Sequence, residues 1–387
     1  MLTQKAIERL SKLGSKDFFI TSLYLNVDRN AKNNDYKIVL KDLLKEKRQR
    51  LESVKVERKL TREQTQSIEN DFTKLEQFIN SGYIHKDNHK GLVIFCSAGN
   101  NFWEMFELPQ PVADYLNVDI DPYVRPLSEL VCDHRSYAIL LVDSAKAKMF
   151  GVHLGFVKEQ FHIQNNVQPK IKYGGIDGMD ERKVDRAHDE MVAKHFKHVA
   201  SEAEKLLAAG DMVWLIMGGR QNMINQFESL LSGPTRKKII GHIVVEPEAP
   251  LTDVLYKAEE VAKQAEKKYE TELIEKLRAE AHGTGGKGIF GLQPTLQSLR
   301  RGGVNTLVIA KGYTAPGFVC HKCFFIGVPE EKGAKNTCPI CSGDAHDVHD
   351  VIDEAITFAF MQGCRVENTA ENSRLKIMGN IGAILRY

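Results

Sequence analysis

The sequence predicts an α/β protein of three domains, the third an α/β/α sandwich interrupted by an inserted pair of cysteine knuckles. Apolar, β-branched runs such as Phe18–Val27 and Gly91–Ser97 alternate with long charged amphipathic stretches, the pattern of sheets layered with helices. A chain of 387 residues exceeds what one compact core accommodates, so two or three domains follow. Near the C-terminal end, Cys320-x-x-Cys323 and Cys338-x-x-Cys341 break an otherwise regular alternation.

Composition narrows the class. Net charge is only +2, so any nucleic-acid contact must come from local patches and not from a global field. No apolar run approaches the ~20 residues that span a bilayer. The opening segment Met1–Gly14 carries charges throughout and lacks a signal-peptide core, which predicts the cytoplasm and no membrane partner. Seven cysteines, four of them in close pairs, fit a reduced compartment and a metal better than a disulfide framework.

The first domain is expected over residues 1–133. A short helix precedes the strand Phe18–Val27, and two charged amphipathic helices fill Asp35 to Asn80 with a turn near Ser53–Thr61. From Lys41 through Gln64 there are nine Lys/Arg against five Asp/Glu, a basic hairpin end able to rest on RNA, although such hairpins are commonly just solvated. Strands Gly91–Ser97 and Phe102–Leu108 complete the sheet, with Cys96 and Cys132 as small buried residues.

The second domain is expected over 134–248. Tyr137–Asp143, Ala147–His153 and Phe156–Ile163 read as a β-meander that runs into the loop Lys172-Tyr173-Gly174-Gly175-Ile176-Asp177-Gly178. Three glycines in five residues build no core; they make a tip at 173–178 that can approach a partner closely. Behind it, Asp180–Ala209 reads as one long helix. Val184, Ala187, Met191, Val199, Leu206 and Leu207 are spaced as an apolar stripe; Arg182, Lys183, Arg186, His188, Lys194, His195, Lys197 and His198 are its basic residues. A flexible tip on a cationic rod suits a phosphate-rich surface, structured RNA first among them. Strand Val213–Met217, the turn Gly218-Gly219, a helix to Leu231 and strand Lys238–Glu246 follow; the Gly-Gly pair is read as a tight βα connection.

The third domain is expected over 249–387. A charged helix, Leu251–Ala281, leads to Gly283-Thr-Gly-Gly-Lys-Gly288, which lacks the spacing of a phosphate-cradling loop. Helix Gln293–Arg301, strand Val304–Ala310, helix Val348–Gln362, strand Arg365–Asn368 and the apolar run Ile377–Tyr387 make the sandwich, with His346 and His349 as surface residues opening the second of these helices. The insertion at 318–343 is chemically specific. Cys320, Cys323, Cys338 and Cys341 can supply four thiolates to one tetrahedral Zn2+, which leaves no position for a substrate and makes the metal structural. His321, inside the first knuckle, is surplus to that set.

The stretches Ile20–Leu25, Gly91–Cys96, Tyr137–Asp143 with Phe150-Gly151, Gly288–Leu299 with Gly303-Val304, and Gly379–Tyr387 occur in an order that resembles the archaeal and eukaryotic class-1 peptide release factors and their ribosome-rescue relative Pelota. The inserted zinc ribbon is similar to the archaeal members. The resemblance implies a tRNA-mimicking, monomeric factor in the ribosomal A site, with its first domain at the decoding centre and its middle-domain tip at the peptidyl-transferase centre. It also implies a third domain that contacts a translational GTPase of the elongation factor Tu or 1A type. On that basis Lys172, Arg182, Lys183, Arg186, Lys55, Arg58 and Lys59 would hold rRNA phosphates.

Two departures bear on activity. Hydrolytic members carry Gly-Gly-Gln at the tip, whereas this chain reads Gly174-Gly175-Ile176, and an isoleucine has no group with which to position water. Gln164 and Gln168 lie on the approach to the tip, and Asp177 beside RNA phosphates is a poor base. The family's stop-codon-reading Asn-Ile-Lys-Ser has no counterpart around Ser53–Lys59. The expectation is a non-hydrolytic ribosome-binding factor acting in hibernation or rescue, not an enzyme. The alternatives are a peptidyl-tRNA hydrolase with another water-positioning residue and a ribosome-independent RNA-binding protein.

Overall fold

A computed structural model describes residues 2–14, 17–28, 30, 35–57, 60–83, 89–165, 167, 178–209, 212–246, 248–283, 285–320, 322–333, 336–370 and 374–387; side chains from 52 to 57, at 82 and from 178 to 184 fall outside that description. The chain divides into two compact units, Met1–Asp133 with Glu272–Tyr387, and His134–Thr271.

The first part of the first unit begins with α1 (Gln4–Ser11), capped by the Thr3 side chain on the Ala6 N–H. Strand β1 (Ile20–Asn26) follows, then α2 (Tyr36–Glu57) and α3 (Arg62–Gln77). Thr61 and Gln64 form a reciprocal capping box that fixes where α3 starts. Next come β2 (Gly91–Ser97), β3 (Phe102–Leu108), β4 (Tyr115–Asp119) and α4 (Arg125–Asp133). The sheet order is β3-β2-β1-β4, all antiparallel. Leu23, Leu25, Ile94 and Leu116 on one face bury against Leu40, Leu44, Ile68 and Phe72 of the helical pair. β2 and β3 match their expected bounds, while β4 and α4 were not anticipated.

The second unit holds β5 (Tyr137–Val142), β6 (Lys146–His153), β7 (Phe156–Gln164), α5 (Gly178–Ala209), β8 (Trp214–Gly219), α6 (Gln221–Glu228), α7 (Gly233–Arg236), β9 (Ile239–Val244) and the start of α8 (Leu251–His282). Its sheet runs β7-β6-β5-β8-β9, an antiparallel meander continued by parallel strands. Val192, Phe196, Val199, Ala203 and Leu207 of α5 cover one face. Val254 and Ala258 of α8 cover the other. Gly219 has φ of +143°, and a Cβ there would sit 2.4 Å from the Val142 carbonyl oxygen, so this position needs glycine for structural reasons.

The rest of the first unit comprises the end of α8, β10 (Gly288–Phe290), α9 (Leu292–Arg300), β11 (Val304–Ala310), β12 (Gly317–Cys320), β13 (Ile326–Gly327), β14 (Ala345–Val348), α10 (Val351–Met361), β15 (Arg365–Thr369) and β16 (Ile381–Leu385). The main sheet is ordered β10-β16-β11-β15, and β13-β12-β14 form a separate ribbon. Gly288 ends the glycine-rich stretch as a strand residue pressed on α8, where a Cβ would meet the Leu277 carbonyl oxygen at 2.4 Å. One expectation is corrected. His346 and His349 do not open a helix; His346 pairs with Val319 in the ribbon, and α10 starts only after Asp350, whose side chain accepts from the Ile352 N–H.

The two parts of this unit are joined through Arg125, which is 7% exposed. Its Nε donates to Glu129 Oε1 at 3.0 Å, Nη1 to Asp353 Oδ1 at 2.9 Å and also to Asp350, and Nη2 to the Tyr313 carbonyl at 2.7 Å. Removing one partner of such a buried network strands the others in a low-dielectric interior. We expect Arg125→Ala to destabilise the first unit by about 3–5 kcal/mol, read as a lower urea midpoint of Trp103 fluorescence in a Trp214→Phe background. An unchanged midpoint would contradict the role.

Asp71 is buried, and burial pushes its carboxyl up to about 6 despite bonds from Thr21 Oγ1 at 2.8 Å and the Ala98 N–H at 2.6 Å. Its folded value lies above its unfolded one, so the folded state binds this proton more tightly and stability rises as pH falls from above 6 toward the unfolded value. We expect roughly 1 kcal/mol from this group between pH 7.5 and 5. That share of the pH slope should vanish in Asp71→Asn, which keeps an acceptor for Ala98.

Candidate functional site

Two short turns build the chemically specific site. β12 ends at Cys320, whose N–H donates to the Phe325 carbonyl at 2.9 Å, while the Phe324 N–H returns to the Cys320 carbonyl at 2.7 Å. The second turn repeats the scheme: the Cys338 N–H donates to the Gly343 carbonyl at 2.7 Å and the Ser342 N–H to the Cys338 carbonyl at 3.0 Å. In both, the residue four beyond the first cysteine is left-handed, Phe324 at φ +58° and Ser342 at φ +55°. These turns aim both thiols of each pair to one side.

The four sulfurs come together. Cys320 and Cys341 Sγ stand 3.5 Å apart, as do those of Cys323 and Cys338, and all four lie within 4.8 Å of one another. A tetrathiolate with metal–sulfur bonds near 2.3 Å implies sulfurs separated by about 3.8 Å. The separations are far longer than a disulfide's ~2.05 Å, and all four cysteines are free. Cys320 and Cys338 are buried; the Gly343 N–H pulls the Cys341 thiol below the usual cysteine value, while burial pushes those of Cys320 and Cys323 up. Four soft donors with no gap between them fit one metal ion held for structure. His321 lies outside the described residues.

Sequence reasoning missed what braces this ribbon. Arg300 of α9 forms a two-pronged pair with Glu331 at 3.0 and 3.1 Å, donates to the Ile326 carbonyl at 2.8 Å and lies 4.1 Å over the Phe325 ring. Nothing local in the sequence marks Arg300, because its partners are 25 or more residues away.

The expected RNA-facing residues are only partly placed. Lys172, Gly174, Gly175, Ile176 and Asp177 of the tip, with Gln168, lie outside the described residues, as do Arg58 and Lys59. Gly178 begins α5, Arg182 and Lys183 fall in its first turns, and Lys55 is in the last turn of α2. Arg186 is exposed on α5, as are Lys194 and Lys197, but Asp185, Asp189 and Glu190 share that half of the helix, and Glu190 pairs with Lys194 at 2.9 Å.

Three positions on α5 differ from expectation. Ala187 and Met191 are exposed, not part of the buried stripe, because Val192 and Phe196 set the core-facing side. His195 does not belong to the basic face. It is 1% exposed, its Nδ1 takes the Asn165 amide at 2.8 Å, and burial pushes its imidazole below the usual histidine value. Asn165 follows β7 directly, so this bond ties the strand leading toward the tip to the helix leaving it.

Residues 122–263 match the family described as Bacterial archaeo-eukaryotic release factor family 10. The chain is 24% identical over 424 aligned residues to "Peptide chain release factor subunit 1" of Methanocaldococcus jannaschii, covering 100% of this chain and 97% of that protein. It is 29% identical to the protein of the same name from Aeropyrum pernix, over 57% of this chain and 62% of the relative. Among solved structures, "Model of ribosome-bound archaeal Pelota and ABCE1" aligns over 100% of this chain and 94% of that one at 14% identity and a TM-score of 0.43.

The metal site generates a direct test. We expect elemental analysis of the purified protein to find one metal ion per chain, lost in Cys320→Ser and Cys338→Ser with a lower melting temperature. Retention of the ion in both variants would contradict the four-thiolate assignment.

Proposed function

We propose that the chain is a member of the archaeo-eukaryotic release factor and Pelota family, to which the match over residues 122–263 and the full-length similarity to a peptide chain release factor point, and that it is a ribosome A-site-binding translation factor that does not hydrolyse peptidyl-tRNA. The observation that carries this is Ile176 directly after Gly174-Gly175, where the resemblance calls for a water-orienting glutamine. A branched alkyl side chain neither donates to nor accepts from a water molecule, so the tip can occupy a cavity without supplying the group that hydrolysis needs. In this reading the two glycines let the loop approach rRNA, and Arg182, Lys183 and Arg186 at the start of α5 bind phosphates. The four cysteines hold Zn2+ as a structural ion that keeps the ribbon folded, and the unit that carries the ribbon meets a translational GTPase. Hibernation or rescue, in the cytoplasm, is the setting that suits a factor of this kind.

A second reading keeps hydrolysis. It is favoured by the full-length similarity to a protein named as a peptide chain release factor.

Two measurements separate the readings. We expect the protein to sediment with ribosomes at low salt and to leave them as salt rises; Arg182→Glu with Arg186→Glu should weaken binding about tenfold or more and flatten the salt slope. Failure to sediment under any salt condition, with stalled or resting-cell ribosomes included, would sink the proposal. In a peptide-release assay the unmodified chain should be inactive, with Ile176→Gln as the gain-of-function control; release by the unmodified chain selects the hydrolase.

A further inference from the structure

His195 is a titratable group buried where neither the metal site nor the basic face of α5 uses it. It is 1% exposed, on the side of α5 that carries buried Val192, Phe196 and Val199, and its ring centroid lies 5.9 Å from that of Phe196. One ring nitrogen, Nδ1, takes the Asn165 amide at 2.8 Å. The other, Nε2, is buried and has no hydrogen-bond partner among the described residues. The charged side chains that act on the ring are Asp143, just past β5, which favours a proton there, and His198, one turn along α5, which opposes it. The backbone of Lys146 and Asp143 also favours the proton, while the Lys146 ammonium is engaged with Glu248 at 2.6 Å. From β7 the ring meets only the uncharged Asn165.

The position of this bond gives it a task. β7 is an edge strand, paired with β6 alone, and its last pairing is that of Gln164 with Lys146. Asn165 comes next. Its N–H donates to the Ala145 carbonyl at 2.9 Å, its own carbonyl accepts from the Val167 N–H at 3.0 Å, and its side chain reaches His195. That last bond crosses from sheet to helix and links positions 30 apart in sequence. Because the amide donates, Nδ1 is unprotonated, and the single proton of the neutral ring sits on Nε2.

A second proton has to enter at Nδ1, where it meets the amide hydrogen that now points at it. Asn165 can turn its amide over and offer the oxygen, which remakes one hydrogen bond but leaves an imidazolium without water. Burial accordingly holds the proton affinity of the ring below that of an ordinary histidine. An opened joint exposes the ring and binds the proton more tightly than the closed one, so it gains on the closed form as pH falls through the histidine range. We propose that His195 and Asn165 form an acid-released latch, which fixes the end of β7 on α5 while the imidazole is neutral and lets it go when the imidazole is charged. The latch is a property of the second unit and holds whether or not the ribosome-binding reading does. In that reading, acid would loosen the root of the tip.

The test is NMR of the full chain, labelled with nitrogen-15 in the backbone and the histidine rings, titrated from about pH 8 to about pH 5. We expect the neutral His195 ring as the Nε2–H tautomer, with a midpoint below that of exposed His162. The Asn165 and Val167 amide signals should move with the His195 midpoint and, below it, exchange hydrogen about tenfold faster after correction for the intrinsic effect of pH. Asn165→Asp sets a carboxylate against Nδ1, which should raise the midpoint by about one unit or more and keep the joint closed into acid. Asn165→Ala should leave the Val167 amide in fast exchange at every pH. An Nδ1–H tautomer, Asn165 signals that do not follow His195, or a midpoint lowered by Asn165→Asp would overturn the proposal. The titration of the unmodified protein decides the matter should either variant fail to fold.

Discussion

A single guanidinium, that of Arg125, holds together segments of chain more than two hundred residues apart. Burying a cation is costly, and the cost is met only because three carboxylates and a backbone carbonyl surround it. Asp350 makes the joint cooperative: while it accepts from Arg125, it also caps α10 and takes the Ala315 N–H at 3.1 Å. The helix start, the chain entering the ribbon and the junction with α4 therefore depend on one carboxylate. Lys311 with Asp133, and the Cys132 thiol on the Val366 carbonyl at 3.4 Å, extend the same seam.

The metal ribbon inherits its position from that seam. β12 begins two residues after Ala315, and the Val351 N–H returns to the Ala315 carbonyl at 2.8 Å, so the first knuckle leaves from a fixed root. On the far side Arg300 grips Glu331 and the strand carbonyl of Ile326. Between these anchors the two cysteine turns need only their local hydrogen bonds to present four sulfurs. A structural ion in that place would stiffen a ribbon of three short strands that has little apolar core of its own.

Chemistry and scaffold separate cleanly in this chain. The second unit is an ordinary layered α/β body, its sheet covered by α5 on one face and α8 on the other, and its buried His195 serves packing and the chain leaving β7, not charge. The similarity to release factors runs along the whole sequence, and the proposal of a non-hydrolytic factor turns on the side chain at 176.

Much of this was legible from residues alone. β2, β3 and β11 fall on their expected bounds because apolar runs, or in β3 an alternation of apolar and polar residues, are encoded locally between polar turns. The cysteine cluster was legible because its geometry comes from two local turns, each encoded within a few residues. β4, β10 and β14 were not anticipated, being short strands held by neighbours, and α5's buried side shifted because Phe196 and His195 pack against residues the helical repeat cannot reveal. Strand order, the Arg125 joint and the Arg300 brace were decided only in three dimensions. Each depends on groups brought together from distant parts of the chain, and local periodicity carries no record of which distant partner a buried charge will meet.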